Sequence, residues 1–502
     1  MKFKLLGLLA LVSVLLHAQD PAAKKYGEQI TIGDLKDHLS IIASDALEGR
    51  ETGTRGQKMA AAYISAHFEE IGLTAPVKGN YYQPVPLYTS ELGEAYVKVG
   101  KTILDSNKDV AYYGSGHTDS EVSLPLVFIG NATEEDLAQV DIKDKAVLMF
   151  AEGRRLFGNS TLNTVREKGA KLLLVCNTKT QGEFDELASQ IKRFTSGGRL
   201  SLSKPTSDEQ YGIFLVSPAA TEKLMNTSMD KLSKATADTK KSSLKKFKPS
   251  SIQFKITQHV RTVMTENVLG YLEGTDKKDE VIIVTAHYDH IGKRSGGTGD
   301  QINNGADDDG SGTVAVLEMA QSFSQAKKDG QGPRRSILFM TVTGEEKGLL
   351  GSAYYSENPV FPLANTVVDL NIDMIGRSDP QHKDSDPYVY VIGSDKLSLE
   401  LHQVSEDINK KTTNLVFDYT YNDENHPDRL YYRSDHWNFA RKNIPIIFYF
   451  DGIHEDYHKV SDEVDKIEFD LLEKRTRCVF YTAWELANRD KRIMPDPDKI
   501  KK

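Results

Sequence analysis

Beyond residue 255 the chain repeats one pattern that few folds can satisfy. Short, almost wholly apolar runs alternate with helical stretches. The runs are NVLGYLEG (267–274), EVIIVTA (280–286), SILFMTV (336–342), VVDLNID (367–373), YVYVIG (388–393) and IPIIFYF (444–450). The helical stretches include SGTVAVLEMAQSFSQA (311–326). Strands without polar alternation are buried on both faces, so the expected fold is α/β, a mixed, largely parallel sheet flanked by helices. Upstream, residues 30–75 read as helix, with Ala60, Ile64, Phe68 and Ile71 at helical spacing and Gly72 as a C-terminal cap. From 119 the texture changes to brief β-rich runs separated by turns, which predicts a smaller β-rich inserted domain over 119–225. The Lys-, Ser- and Thr-rich stretch 226–254 reads as an exposed connection, and 491–502 as a polar tail.

The polar residues at the ends of these runs carry the chemistry. EVIIVTA leads into His287 and Asp289, SILFMTVTG into Glu345 and Glu346, VVDLNID ends on Asp373, and IPIIFYF is followed by His458. Open α/β sheets bind ligands at the carboxyl ends of their strands, so four strands deliver these groups to one sheet edge. Asp307, Asp308 and Asp309 join them from a Gly-rich loop. Singly, each is most simply a cap, a turn residue or a hydrogen-bonded histidine. Together, two imidazoles and several carboxylates would repel one another unless cations sat among them. Mixed nitrogen and oxygen donors without nearby cysteine suit Zn²⁺, with Mn²⁺ or Co²⁺ as substitutes.

The ordered set H-x-D (287–289), GADDDGSG (305–312), EExGLLGS (345–352), NIDM (371–374), SDH (434–436) and YHKxSD (457–462), with LEGRETGTRGQ at 47–57, resembles the M28 family of zinc exopeptidases. The resemblance implies a discontinuous peptidase domain over 20–115 and 255–490, and 119–225 is similar to a protease-associated (PA) domain. It implies two Zn²⁺: His287 and Asp373 on one, Glu346 and His458 on the other, and Asp308 between them. A slip of one would put Asp307 there instead. Glu345 takes the general base's place, and Asp289 matches the residue that holds the His287 imidazole. Ser434, Asp435 and His436 match a supporting motif. Tyr431 is a candidate oxyanion donor, with Tyr457 its rival. A metal-bridged hydroxide and a Glu base would then hydrolyse the N-terminal bond of a peptide.

Other readings compete. His454 to His458 spells H-E-x-x-H, a zincin pattern that requires a helix, and the segment lacks helical periodicity. His454 and His290 otherwise read as loop histidines. Carboxypeptidase or dipeptidase activity, single-zinc glutaminyl cyclisation and a non-catalytic binding module are the alternatives to an aminopeptidase.

Composition sets the remaining bounds. Among 502 residues, 63 Lys+Arg against 72 Asp+Glu give a net charge of −9, which argues against nucleic acid as a partner. Peptides are the expected substrates, and oligomeric state is open. Lys2, Lys4 and the apolar run Leu5–Leu16 read as a signal peptide over 1–19, too short for the roughly 20 residues of a membrane span. A secreted or periplasmic location is expected, with no membrane association beyond that targeting. Two cysteines so far apart, Cys176 and Cys478, read as buried thiols.

Overall fold

The structure is a computed structural model. It describes residues 20–106, 108–114, 116–151, 160–195, 200–204, 211–237, 243–247, 250–383 and 385–500. The expected signal peptide lies outside the described residues. Among the described residues, no helix is long and apolar enough to cross a membrane. The chain divides into two units, one running to Val85 and resuming at Met264, the other Pro86–Val263.

In the first unit the sheet is mixed and largely parallel. Its order is Val416–Asp418, Tyr388–Ile392, Ile446–Phe450, Thr366–Ile372, Lys277–His287, Arg335–Val342 and the end of Ser250–Leu272. The four inner strands are parallel, with Thr341 opposite Ala286, Thr285 opposite Asn371, and Ile372 opposite Tyr449. They therefore end together on one edge, which is what brings distant parts of the sequence to one place. Successive residues face opposite ways. Ile282, Val284 and Ala286 join a core with Phe323, Phe339 and Trp484. Val281 and Ile283 join Leu338, Met340 and Phe448 on the other face. The first core is covered by helices Gly312–Lys328 and Phe469–Asn488, where Phe323 stacks on Trp484 at 5.5 Å.

Residues 30–75 form two helices, Ile32–Ile42 and Arg55–Glu70, with a tight turn Asp45–Arg50 between them. Ala60, Ile64 and Phe68 are buried, and Gly72 takes φ +84° just past the helix end.

The second unit has its own parallel run, Val122–Phe128, Ala146–Phe150, Leu172–Cys176 and Ile213–Val216, with Val110–Tyr113 antiparallel at its end. The connections expected as turns carry helices, among them Ser160–Glu167 and Gln181–Thr195. Cys176 and Cys478 are both free and buried.

Three boundary expectations are corrected. Residues 86–115 and 255–263 belong to the second unit, because strands Tyr82–Val99 and Ser250–Leu272 each run through the division. The stretch 226–254 is built into that unit: Met229–Ala237 is helical, and Leu232, Leu244, Ile252 and Phe254 are buried. The polar tail is docked at least to Lys499: Ile493 is buried, and the Asp496 N–H donates to the Leu397 carbonyl at 2.7 Å.

Candidate metal centre

The edge of the first unit's sheet gathers the expected side chains. His287 is the last residue of its strand and is buried. Its Nδ1 lies 3.0 Å from the Asp289 carbonyl oxygen, so Nδ1–H donates there and the Nε2 lone pair is left to face the carboxylates. That Nε2 lies 3.3 Å from Asp308 Oδ1, 3.5 Å from Asp373 Oδ1 and 3.8 Å from Glu345 Oε2. On the other side of Asp308, His458 Nε2 lies 3.1 Å from Asp308 Oδ2 and 3.2 Å from Glu346 Oε2.

The loop that supplies Asp308 shows why the middle aspartate faces the cluster. Asp307 accepts the Gly376 N–H at 2.7 Å and meets His454 Nε2 at 3.1 Å. Asp309 accepts backbone N–H groups from His287, Met374 and Gly312. Both neighbours are thus occupied in holding the loop, and Asp462 accepts the Asp307 and Asp308 N–H groups from beneath. Arg50, fully buried, donates to the carbonyls of Ile42, Tyr288, Asn304 and Gly305 at 2.6–3.0 Å. The early LEGRETG segment therefore fixes the strand end and the acidic loop together.

The expected support roles are partly redistributed. The Asp289 carboxylate sits 4.0 Å from the His287 ring, so only its backbone carbonyl holds the imidazole. Its carboxylate instead accepts the Thr52 hydroxyl at 2.6 Å and the Glu345 N–H at 3.1 Å. Ser434 donates to Asp373 Oδ2 at 2.6 Å and is itself held by Asn371. Asp435 accepts the Ser352 hydroxyl, and His436 donates from Nε2 to the Tyr431 carbonyl. Burial pushes His436 down to about 3, so it is neutral.

Tyr431 is packed in the apolar core beside Trp437 and His436 and is not among the cavity-lining residues, whereas Tyr457 is. The cavity is lined by His287, Asp308, Glu345 and Asp373 on one side. Met374, Leu430, Phe448, Phe450 and Ile453 give it an apolar wall, and Arg433 and Ser434 complete it. The zincin reading is contradicted: 451–463 forms turns rather than a helix, His454 pairs with Asp307, and the Glu455 side chain is exposed.

One participant escapes sequence reasoning. His290, a loop histidine by its sequence context, is fully buried with Nδ1 2.8 Å from Glu346 Oε1 and 3.8 Å from Asp308 Oδ2. Its only signal in the sequence is its position, three residues past a strand-end histidine.

The donor set fits divalent cations. Adjacent corners of a tetrahedron with bonds of about 2.0–2.2 Å stand about 3.3–3.6 Å apart, close to the His287 and His458 distances above. Among the described residues, His287 Nε2, Asp308 Oδ2 and Glu346 Oε1 are buried without a hydrogen-bond partner. Such orphans are expensive unless something binds them. The field is strongly negative. Burial opposes protonation of His287, yet Asp373, Glu345 and Asp308 override it and hold the imidazole well above its usual range. Burial likewise opposes protonation of His458, which Asp308 and Glu346 raise to about 10. Burial pushes the Glu345 carboxyl well above its usual range, with Asp373 and Glu346 adding to the effect of desolvation over the opposing His287.

Residues 267–483 match the family model described as peptidase family M28. Over 246 residues the chain is 26% identical to "Aminopeptidase YwaD" of Bacillus subtilis (strain 168), covering 47% of each chain. Over 268 residues it is 25% identical to a "Probable zinc metalloprotease" of Pyrenophora teres f. teres (strain 0-1), covering 45% of this chain and 52% of that one. The chain spans about half the length of these curated relatives. The solved aminopeptidase from Aneurinibacillus sp. strain AM-1 shares the fold at TM-score 0.53 and 17% identity, over 95% of this chain and 98% of that one. The family match and the strand-end cluster thus fall on the same stretch, and residues 267–483 are similar to peptidase family M28.

Proposed function

We propose that this protein is an extracytoplasmic zinc-dependent exopeptidase, in first place an aminopeptidase that removes N-terminal residues from peptides. The observation that carries the reading is Asp308, whose two oxygens face separate imidazoles, His287 and His458, beside the largely buried Glu345. His287 and Asp373 would hold one divalent cation, Glu346 and His458 the other, and Asp308 both. When bound, such ions lower the pKa of a water and polarise a carbonyl.

The remaining work falls to the chain. Glu345 accepts the attacking water's proton on its carboxylate and returns it to the departing amine nitrogen. Desolvation favours that proton's stay on Glu345, as a base that must also act as acid requires. Asp289 fixes Glu345 through its backbone N–H, and Ser434 fixes Asp373. The Tyr457 hydroxyl, on the cavity wall, is the donor to the developing oxyanion, replacing Tyr431. The apolar residues of the cavity lining have the chemistry to take an apolar side chain.

Arg433 supports a second reading. Its exposed guanidinium on the same cavity has the chemistry to hold a free carboxylate, as a carboxypeptidase or dipeptidase needs. Residues 119–225, within the Pro86–Val263 unit, are read as PA-like from strand texture and place in the chain, and residues 1–19 as a leader for export.

A panel of peptides with free and blocked amino ends, assayed with and without chelator and added Zn²⁺, tests the proposal. Cleavage of free but not blocked peptides, lost with chelator and restored by Zn²⁺, is expected. Carboxyl-end cleavage of blocked peptides would move the assignment to the second reading.

A further inference from the structure

The geometry points to His290 as a protein ligand of the second cation, through Nδ1, giving that site one imidazole more than the H-x-D, E-E and H-K motifs supply. The inference rests on the two-cation reading of the site and adds a residue to it.

Three observations meet here. First, Nδ1 lies 2.8 Å from Glu346 Oε1 and 3.8 Å from Asp308 Oδ2, while His458 approaches the other Glu346 oxygen. The two imidazoles thus flank one carboxylate. Second, among the described residues neither ring nitrogen of His290 has a hydrogen-bond partner, and neither does Glu346 Oε1. Ligand atoms of His290, Asp308 and Glu346 all lie within 4.8 Å of one another, a span that one cation can share, and the 2.8 Å pair would part by about half an ångström to reach tetrahedral spacing around it. A fully buried imidazole without any partner would otherwise be a costly placement.

Third, the backbone makes room for this ring. Gly305, at φ +54°, lies against it, and a Cβ there would stand 2.6 Å from both Cγ and Cδ2 of His290. The His290 N–H donates to the Arg50 carbonyl at 3.2 Å, which sets the residue's position from below. A buried ring, a glycine cut to fit it and an unpaired nitrogen facing two carboxylates together describe a ligand. An outer partner would instead donate a hydrogen bond to Glu346.

The test uses the full chain loaded with Co²⁺, whose paramagnetism shifts the exchangeable N–H resonance of each coordinated imidazole far outside the normal proton range. With two Co²⁺ bound, three such resonances are expected, from His287, His290 and His458. His290→Phe, which keeps a ring in the space, should leave two. Calorimetric titration should show its second Co²⁺ weakened by more than about 100-fold, beyond the 10–100-fold typical of an outer partner. Two bound Co²⁺ with only two shifted resonances in the unaltered protein would overturn the inference and leave the two-cation reading standing. An unaltered protein that binds a single Co²⁺ would overturn both. The resonance count needs no variant, so poor folding of His290→Phe does not shield the inference.

Discussion

Both units of this protein build a parallel run of buried strands joined by helices, yet they differ in the residues set at or just past each strand's end. In the first unit, those residues are His287, Glu345 and Asp373, each buried or nearly so and each facing the others. In the second, the strands Val122–Phe128, Leu172–Cys176 and Ile213–Val216 run into Ile129, Asn177 and Ser217. Ser217 caps the adjoining helix Pro218–Met225, accepting the Ala220 N–H at 3.1 Å. Among the described residues, the same architecture thus gathers imidazoles and carboxylates at the strand ends of one unit and not at these strand ends of the other. Sheet type does not tell them apart; the first residues past the strand end do.

That contrast is most exposed at Glu345. Glu345→Gln should lower turnover by about 10²–10⁴-fold while the protein still retains its divalent cations, as measured by kcat and by metal content. Loss of metal instead would make Glu345 a ligand and redraw the site. In the second unit, truncation should act on the fold alone. Leu148→Ala removes a fully buried side chain from the middle of a strand and should cost about 2–5 kcal/mol in urea unfolding. Peptide hydrolysis measured well below its unfolding transition should be unchanged.

A third difference is in acid. His67, on the helix Arg55–Glu70 of the first unit, is held down to about 4 by burial, with His38 adding to it. A histidine depressed in the fold stabilises fully above its unfolded pKa, near 6.5, and loses that contribution as pH falls towards 4. The loss should approach about 3 kcal/mol, and His67→Phe should flatten it in denaturant titrations at successive pH values. The smallest effect is expected at Glu455→Gln, which should leave activity and metal content as they are. A large loss there would revive the H-E-x-x-H reading.

Much of the first unit is legible in the sequence because its strands are apolar on both faces, so runs such as EVIIVTA and IPIIFYF stand out and their polar successors fall at one edge. Asp308 is separable from Asp307 and Asp309 only by resemblance; in space the neighbours are distinguished by the backbone N–H groups they hold. Three things are hidden. Tyr82–Val99 and Ser250–Leu272 are long strands with exposed and half-buried positions interleaved, so neither stands out as an apolar run and the expected unit boundary falls some thirty residues late at its first crossing. The Asp289 carboxylate turns to Glu345 rather than His287, a matter of side-chain direction that spacing does not encode. His290 looks like any loop histidine because its partners lie 18 and 56 residues further along the chain.

Arg50 carries a final consequence. Its guanidinium spends its donors on four carbonyls, two of them in the acidic loop, and stays charged whatever else is present. A permanent cation buried beneath Asp308, Asp289 and Asp309 means that the crowd of like charges is already partly neutralised and already shaped by the polypeptide itself. The cradle is cast before its guests arrive, so ion capture should resemble filling a mould, with little of the chain left to order.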